Sequence, residues 1–178
     1  MEKTDIEFIE EIKNGSLEFF EHLIKRYEQQ VYRIVFQFVK NQDYSFDVMQ
    51  NIFIKVYQNL NGFRGECQFK TWLIRIVYNE SQNWIKRNKN ILVMESIDSI
   101  PDKTENQEND FATKEMNVKL LQSMENLNKK YRMAVHLRYF EDYSIKDIAD
   151  ILNCSEGVVK NILYRSLRKL AKILKSNI

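Results

Sequence analysis

The side chains best suited to hydrogen-bond a nucleic acid gather near the C-terminus. Lys160, Asn161, Tyr164, Arg165, Arg168 and Lys172 recur at helical spacing, and from Gly157 onward the chain carries six basic residues and no acidic one. Lys160, Asn161, Tyr164 and Arg165 can hydrogen-bond or pack on base edges, while Arg168 and Lys172 suit phosphates. A second set lies upstream, where Arg75, Asn79, Gln82 and Lys86 follow one another along one helix side with Trp72 and Asn83 beside them. The loop Phe63, Arg64, Gly65, Glu66, Cys67, Gln68 precedes it. Basic and amide groups interleaved with aromatics suit a single strand or a flipped base. The spacing is equally consistent with Trp72 as a core residue, and it places Trp84 on the apolar side. A third set, Asp47, Gln50, Asn51 and Lys55, surrounds Ile54, and an apolar residue centred on a polar face suits a protein interface. Catalysis has no comparable set. There is no glycine-rich phosphate loop and no metal-ligand cluster, and His22 and His136 are scattered, so neither an enzyme nor a cofactor is expected.

Helices must position all three sets. In the C-terminal stretch Ser144 with Asp147 makes a capping-box-like start, and Ile145, Ile148, Ala149 and Leu152 follow at helical spacing. Asn153-Cys154 turns the chain and Ser155 can cap a second helix, with Val159, Leu163, Leu167, Leu170 and Leu174 expected to stack on its inner face. A short helix, a tight turn and a basic second helix describe a helix-turn-helix, whose second helix enters the DNA major groove. The alternative is a helical hairpin with a solvated basic face. Tyr164 on the polar side argues against it, since an unpartnered aromatic is out of place there.

Earlier in the chain, Thr4 to Lys13 reads as a helix opened by a Thr4–Glu7 capping box. Ser16 is expected to cap a helix from Leu17 to Tyr27, and a separate helix follows through Val31, Val35, Phe38 and Val39. The next runs from about Tyr44 to Leu60 with Met49, Ile52, Phe53, Val56 and Leu60 inside. Asn61-Gly62 ends it, and a helix from Phe69 buries Phe69, Leu73, Ile76, Val77 and Trp84. Near the C-terminal third, a helix from Glu115 passes through Val118, Leu121, Met124 and Leu127, and another spans Lys129 to Phe140.

Composition agrees with an all-α protein. The 178 residues include one proline and four glycines. No apolar run reaches the length of a membrane span, and the start MEKTDIEFIEEIK is acidic and amphipathic, unlike a signal peptide, so a cytoplasmic protein is expected. Cys67 and Cys154, at unlike sites, read as thiols in a reducing compartment. The net charge of +2 conceals a segregation, with +1 over residues 1–90, −4 over 91–122 and +5 over 123–178. The stretch 91–115 holds the proline, and between Glu95 and Asp110 it carries six acids and one lysine. It reads as an extended, solvated linker between two small helical domains, 1–90 and 116–178.

Two blocks carry a family resemblance. FRGECQFKTWLIRIVYN, through Phe63, Arg64, Gly65, Glu66, Phe69, Thr71, Trp72, Leu73, Arg75, Ile76 and Asn79, resembles the promoter-melting segment of the extracytoplasmic-function (ECF) group of sigma-70 RNA polymerase sigma factors. Asp47-Val-Met-Gln50-Asn-Ile-Phe53 is similar to that family's polymerase-binding helix. Leu127, Tyr131, Arg132, Leu137, Tyr139, Ile148, Ala149, Cys154, Glu156-Gly157, Val159-Lys160, Leu163 and Arg165 resemble its fourth region. Phe46, Asn51, Val158, Asn161 and Ile162 depart from the usual residues. The resemblance implies a transcription initiation factor. Asp47, Gln50, Asn51, Ile54 and Lys55 would bind core RNA polymerase. Phe63 to Gln68 would hold a flipped base of the −10 element, with Trp72, Arg75, Asn79, Gln82, Asn83 and Lys86 on neighbouring bases and backbone. Lys160, Asn161, Tyr164 and Arg165 would read the −35 element, with Arg168 and Lys172 on phosphates. It also implies an anti-sigma partner, and a linker that either threads through polymerase or merely tethers. A stand-alone helix-turn-helix regulator is the alternative, and it leaves the FRGECQFKTW block without a role.

Overall fold

A computed structural model describes residues 3–88, 120 and 122–176, which contain helices and no strand. The acidic stretch 91–115, and the beginning of the helix expected from Glu115, lie outside them. The described residues fall into two compact units, one within Met1–Val93 and the other within Met94–Ile178.

In the N-terminal unit, helix α1 (Asp5–Lys13) opens with the expected capping box. The Thr4 Oγ1 accepts from the Glu7 N–H at 3.3 Å, and Glu7 Oε2 accepts from the Thr4 N–H at 2.6 Å. Gly15, at φ 101°, turns the chain where a side chain would be strained. Helix α2 (Glu18–Val39) is then one continuous element, where two had been expected. Glu28, Gln29 and Gln30 are ordinary helix formers without a breaker, and the buried stripe Leu23, Tyr27, Val31, Ile34, Val35 and Phe38 runs through the junction. Ser16 does not cap it: Leu17 occupies the N-cap without a side-chain bond, and Ser16 serves the turn with its N–H on the Glu11 carbonyl at 3.0 Å.

Lys40 in the left-handed region closes α2, and Asn41 caps α3 (Gln42–Asn59) by accepting from the Tyr44 N–H at 3.0 Å. The inner face of α3 is Ser45, Val48, Ile52, Phe53 and Val56, so Val48 takes the place expected of Met49, which is half-buried. A 3-10 turn (Leu60–Gly62) leads through the loop to α4 (Phe69–Arg87). Leu73, Ile74 and Val77 are fully enclosed there and Ile85 nearly so, whereas Ile76 and Trp84 are half-buried, Trp84 against Tyr44 with ring centroids 5.6 Å apart. The apolar face of α4 is therefore broader than the expected stripe.

Arg26 anchors α1 on α2 through Asp5 at 2.6 Å and the Lys3 carbonyl at 2.8 Å. The Tyr27 hydroxyl donates to Asp5 at 2.5 Å, and burial, then the Asp5 carboxylate, push that phenol's pKa well up.

Among the described residues of the C-terminal unit, 120 and 122–125 are helical, followed by α5 (Lys129–Tyr139), α6 (Ile145–Ile151) and α7 (Glu156–Ser176). Asn128 caps α5, accepting from the Tyr131 N–H at 2.9 Å. Arg132, half-buried, donates to the carbonyls of Met124, Glu125 and Leu127 and so occupies the end of the preceding segment. His136 is buried, stacked on Phe140 and 3.4 Å from Glu141, in keeping with a structural place. The inner face of α7 is Val159, Ile162, Leu163, Ser166 and Leu170. Leu167, expected inside, is 45% exposed, and Ser166 replaces it, donating to the Ile162 carbonyl at 2.8 Å.

Candidate nucleic-acid interface

Ser144 caps α6 by accepting from the Asp147 N–H at 3.1 Å. Asn153 then adopts φ 48°, a left-handed conformation that asparagine tolerates better than most residues, and the Cys154 N–H returns to the Ala149 carbonyl at 3.0 Å. Ser155 starts α7, with its Oγ accepting from the Val158 N–H at 3.4 Å. This turn leads the chain into α7, which packs against both α5 and α6. Because the inner face begins at Val159 and Ile162, the outer face must present Lys160, Asn161, Tyr164, Arg165, Arg168 and Lys172, and all six are exposed. Tyr164 is 60% exposed, and the Arg168 guanidinium lies 5.7 Å from its ring centroid. The two side chains therefore brace each other on the surface. A helix with amide and aromatic groups in its first turns and cations along its length can offer donors to base edges and positive charge to phosphates.

In the N-terminal unit the loop 63–68 is held at its base. Phe63, expected among the base-holding residues, is only 7% exposed and packs at 5.7 Å from Phe69 and 5.3 Å from Trp72, measured between ring centroids. Its carbonyl accepts from Lys13 Nζ at 2.8 Å. Phe63 thus plants the loop in the core. Arg64, Gly65, Glu66 and Gln68 stand exposed beyond it, with Gly65 at φ 75° making the bend. Cys67 is half-buried, and Arg75 Nη2 donates towards its sulfur at 3.7 Å. The Arg75 Nε is buried without a hydrogen-bond partner. Along α4, Trp72, Arg75, Gln82 and Asn83 are half-buried, and Asn79 and Lys86 are exposed. The sequence set therefore comes together on one side of α4, as a shelf of half-buried and exposed groups of which Trp72 and Arg75 touch the loop through Phe63 and Cys67.

The outer face of α3 carries Asp47, Gln50, Asn51 and Gln58 exposed around Ile54, which is 53% exposed. Lys55 is different: it is half-buried and paired with Glu80 of α4 at 2.5 Å, so its charge is engaged within the unit. The sequence set left out Tyr57 and noted Phe46 only as a departure from the family pattern, yet the two are 43% and 42% exposed on the same side of α3 as Ile54. Phe46 stacks on Tyr32 and Tyr57 packs on Phe20, with ring centroids 5.0 and 5.1 Å apart. The spacing 46, 50, 54, 57 was the available signal, since it repeats at the helical period.

The chain matches two family models, "Sigma-70 region 2" over residues 23–91 and "Sigma-70, region 4" over residues 117–170. It is 30% identical to the ECF RNA polymerase sigma-E factor of Haemophilus influenzae over 173 residues, covering 92% of this chain and 91% of that protein. The Escherichia coli K12 protein of the same name is also 30% identical, at 92% and 90% coverage. Among solved structures, CnrH in complex with the cytosolic domain of CnrY is similar with a TM-score of 0.72 at 18% identity, covering 98% of this chain and 99% of that one. The sigma factor RpoE, in complex with the anti-sigma factor NepR from Bartonella quintana, gives 0.68 at 18% identity, covering 88% and 96%.

Proposed function

The chain belongs to the sigma-70 family of RNA polymerase sigma factors, in its extracytoplasmic-function group, and from that premise we propose how its two units divide the work of promoter-directed initiation. As a sigma factor it binds core RNA polymerase and confers promoter specificity. The observation that carries this reading is the presence of both sigma regions, in order, in one chain. A stand-alone helix-turn-helix regulator would need only the second.

In this reading the domain within 1–90 docks on polymerase through the outer face of α3, with Asp47, Gln50, Asn51 and Ile54 in contact, Lys55 supporting from its pair with Glu80, and Phe46 and Tyr57 extending the apolar part. Arg64 to Gln68 hold a displaced base of the −10 element. The shelf of Trp72, Arg75, Asn79, Gln82, Asn83 and Lys86 takes its neighbours, with Arg75 holding both the loop and the strand. The domain within 116–178 lays α7 in the major groove at −35. The chemistry of RNA synthesis stays with polymerase, so this chain needs no cofactor. No helix among the described residues is long and apolar enough to cross a membrane, and the factor works in the cytoplasm, where polymerase is. An anti-sigma factor of the kind bound to the structural relatives would cover these same faces.

In vitro transcription with purified core polymerase and a selected promoter pool tests the proposal. The chain should confer initiation at a two-element promoter class that core alone ignores. Initiation no better than core alone would refute it.

A further inference from the structure

The outer face of α7 carries one apolar side chain in its first turn that the polar reading set does not use. Val158 is 44% exposed, while its neighbours Val159 and Ile162 are buried. It stands three residues before Asn161 and seven before Arg165, so the three share one edge of the helix. Its backbone is tied by the Ser155 cap. A valine in a helix has one strongly preferred rotamer, so its two methyl groups occupy fixed positions beside the polar readers. Residues at the beginning of a recognition helix are those that reach base edges, and the only apolar feature of the major-groove edge is the thymine C5-methyl. We infer that Val158 is a specificity-determining residue that selects a thymine in the −35 element by packing on its methyl group. The inference rests on the placement of α7 in the groove proposed above.

A cytosine at that position offers no methyl, and a purine puts polar N7 against the valine. Val158 therefore adds selection where Asn161 and Arg165 supply only donors and an acceptor. The contact is small. Burying one methyl group gives about 0.8 kcal/mol, which is about fourfold in affinity at 1.4 kcal/mol per factor of ten.

The test uses holoenzyme assembled from the full chain and core polymerase, bound to its selected promoter. Each thymine of the −35 element, on either strand, is replaced singly by deoxyuridine, which lacks only the C5-methyl. Wild type, Val158→Ala and Val158→Thr are compared by competition binding. One replacement should cost wild type about fourfold. Val158→Ala should bind the thymine promoter as weakly as wild type binds that deoxyuridine promoter, and should be indifferent to the replacement. Val158→Thr, which keeps one methyl, should retain part of the dependence. The inference is overturned if wild type is indifferent to every methyl, if the element holds no thymine, or if Val158→Ala keeps full sensitivity. Tyr164→Ala separates the two readings. If base preference at −35 is unchanged by it, α7 is not the reader and the functional placement fails. A changed preference together with silent methyl deletions misassigns Val158 alone.

Discussion

Tyr164 stands 60% exposed in the middle of the polar face of α7, braced by Arg168, and an aromatic held in that position is available to a partner and unused by the fold. Tyr164→Ala and Asn161→Ala should therefore leave stability nearly unchanged. Each should cost about 1–3 kcal/mol at its preferred base and relax preference there, as measured by binding to a panel of single-base promoter variants. Lys172→Ala, farther along the helix, should weaken all sequences alike and lower the salt dependence of binding by about one unit of slope. Equal losses for all three on every sequence would contradict the division into readers and phosphate contacts. Phe63 belongs on the other side of that line. Because its ring is buried against Phe69 and Trp72, Phe63→Ala should destabilise the N-terminal unit by about 3–5 kcal/mol in thermal or denaturant unfolding. A variant that folds normally and fails only with DNA would place Phe63 back among the base contacts.

At the scale of elements, α3 has two faces with different duties. The inner face is core, whereas Asp47 and Ile54 are exposed and their replacement should not disturb packing. Asp47→Arg with Ile54→Glu should abolish co-purification with core polymerase while the circular dichroism melt stays as wild type. Retained co-purification would refute the docking face. Helix α1 gives a pH-dependent prediction. Hydrogen bonds from the Thr4 backbone and then its hydroxyl hold the Glu7 carboxyl below its ordinary range. Its folded pKa lies below the unfolded one, so the stabilisation is present above the unfolded value and disappears as pH falls through the folded value. The melting-temperature difference between wild type and Glu7→Ala should accordingly be largest near neutrality and shrink towards zero in acid. A difference that grew on acidification would mean that the capping box is not what Glu7 contributes.

For the whole molecule, the proposed DNA contacts in each unit come from a few side chains on one helix, with its neighbouring loop in the N-terminal unit. Specific binding should consequently appear only when polymerase holds both units on one promoter, where the second contact profits from high effective concentration. Gel shifts of a two-element promoter with and without core polymerase measure this. Nanomolar, sequence-specific binding by the free chain would favour an autonomous regulator.

The helix-turn-helix was legible from Ser144, Asn153, Ser155 and the spacing that follows, because caps, turns and helical periodicity are local and need no distant partner. The order of two family-like blocks was legible for the same reason. Burial at the edges of each helix was decided by tertiary contacts. Ile162 and Ser166 went inside while Leu167 went out, because the rotation of α7 is set by what α5 and α6 pack against it and not by hydrophobicity alone. The continuity of α2 depended on a core able to receive its stripe along the whole length. Most consequentially for function, the sequence placed Phe63, Arg75 and Lys55 on equal terms with their exposed neighbours. Only the packed structure separated a buried ring, a guanidinium lodged against Cys67 and an ammonium paired with Glu80 from the side chains left free to meet a partner. Whether a polar or aromatic group is used within the fold depends on residues distant in the chain, and no local pattern encodes that.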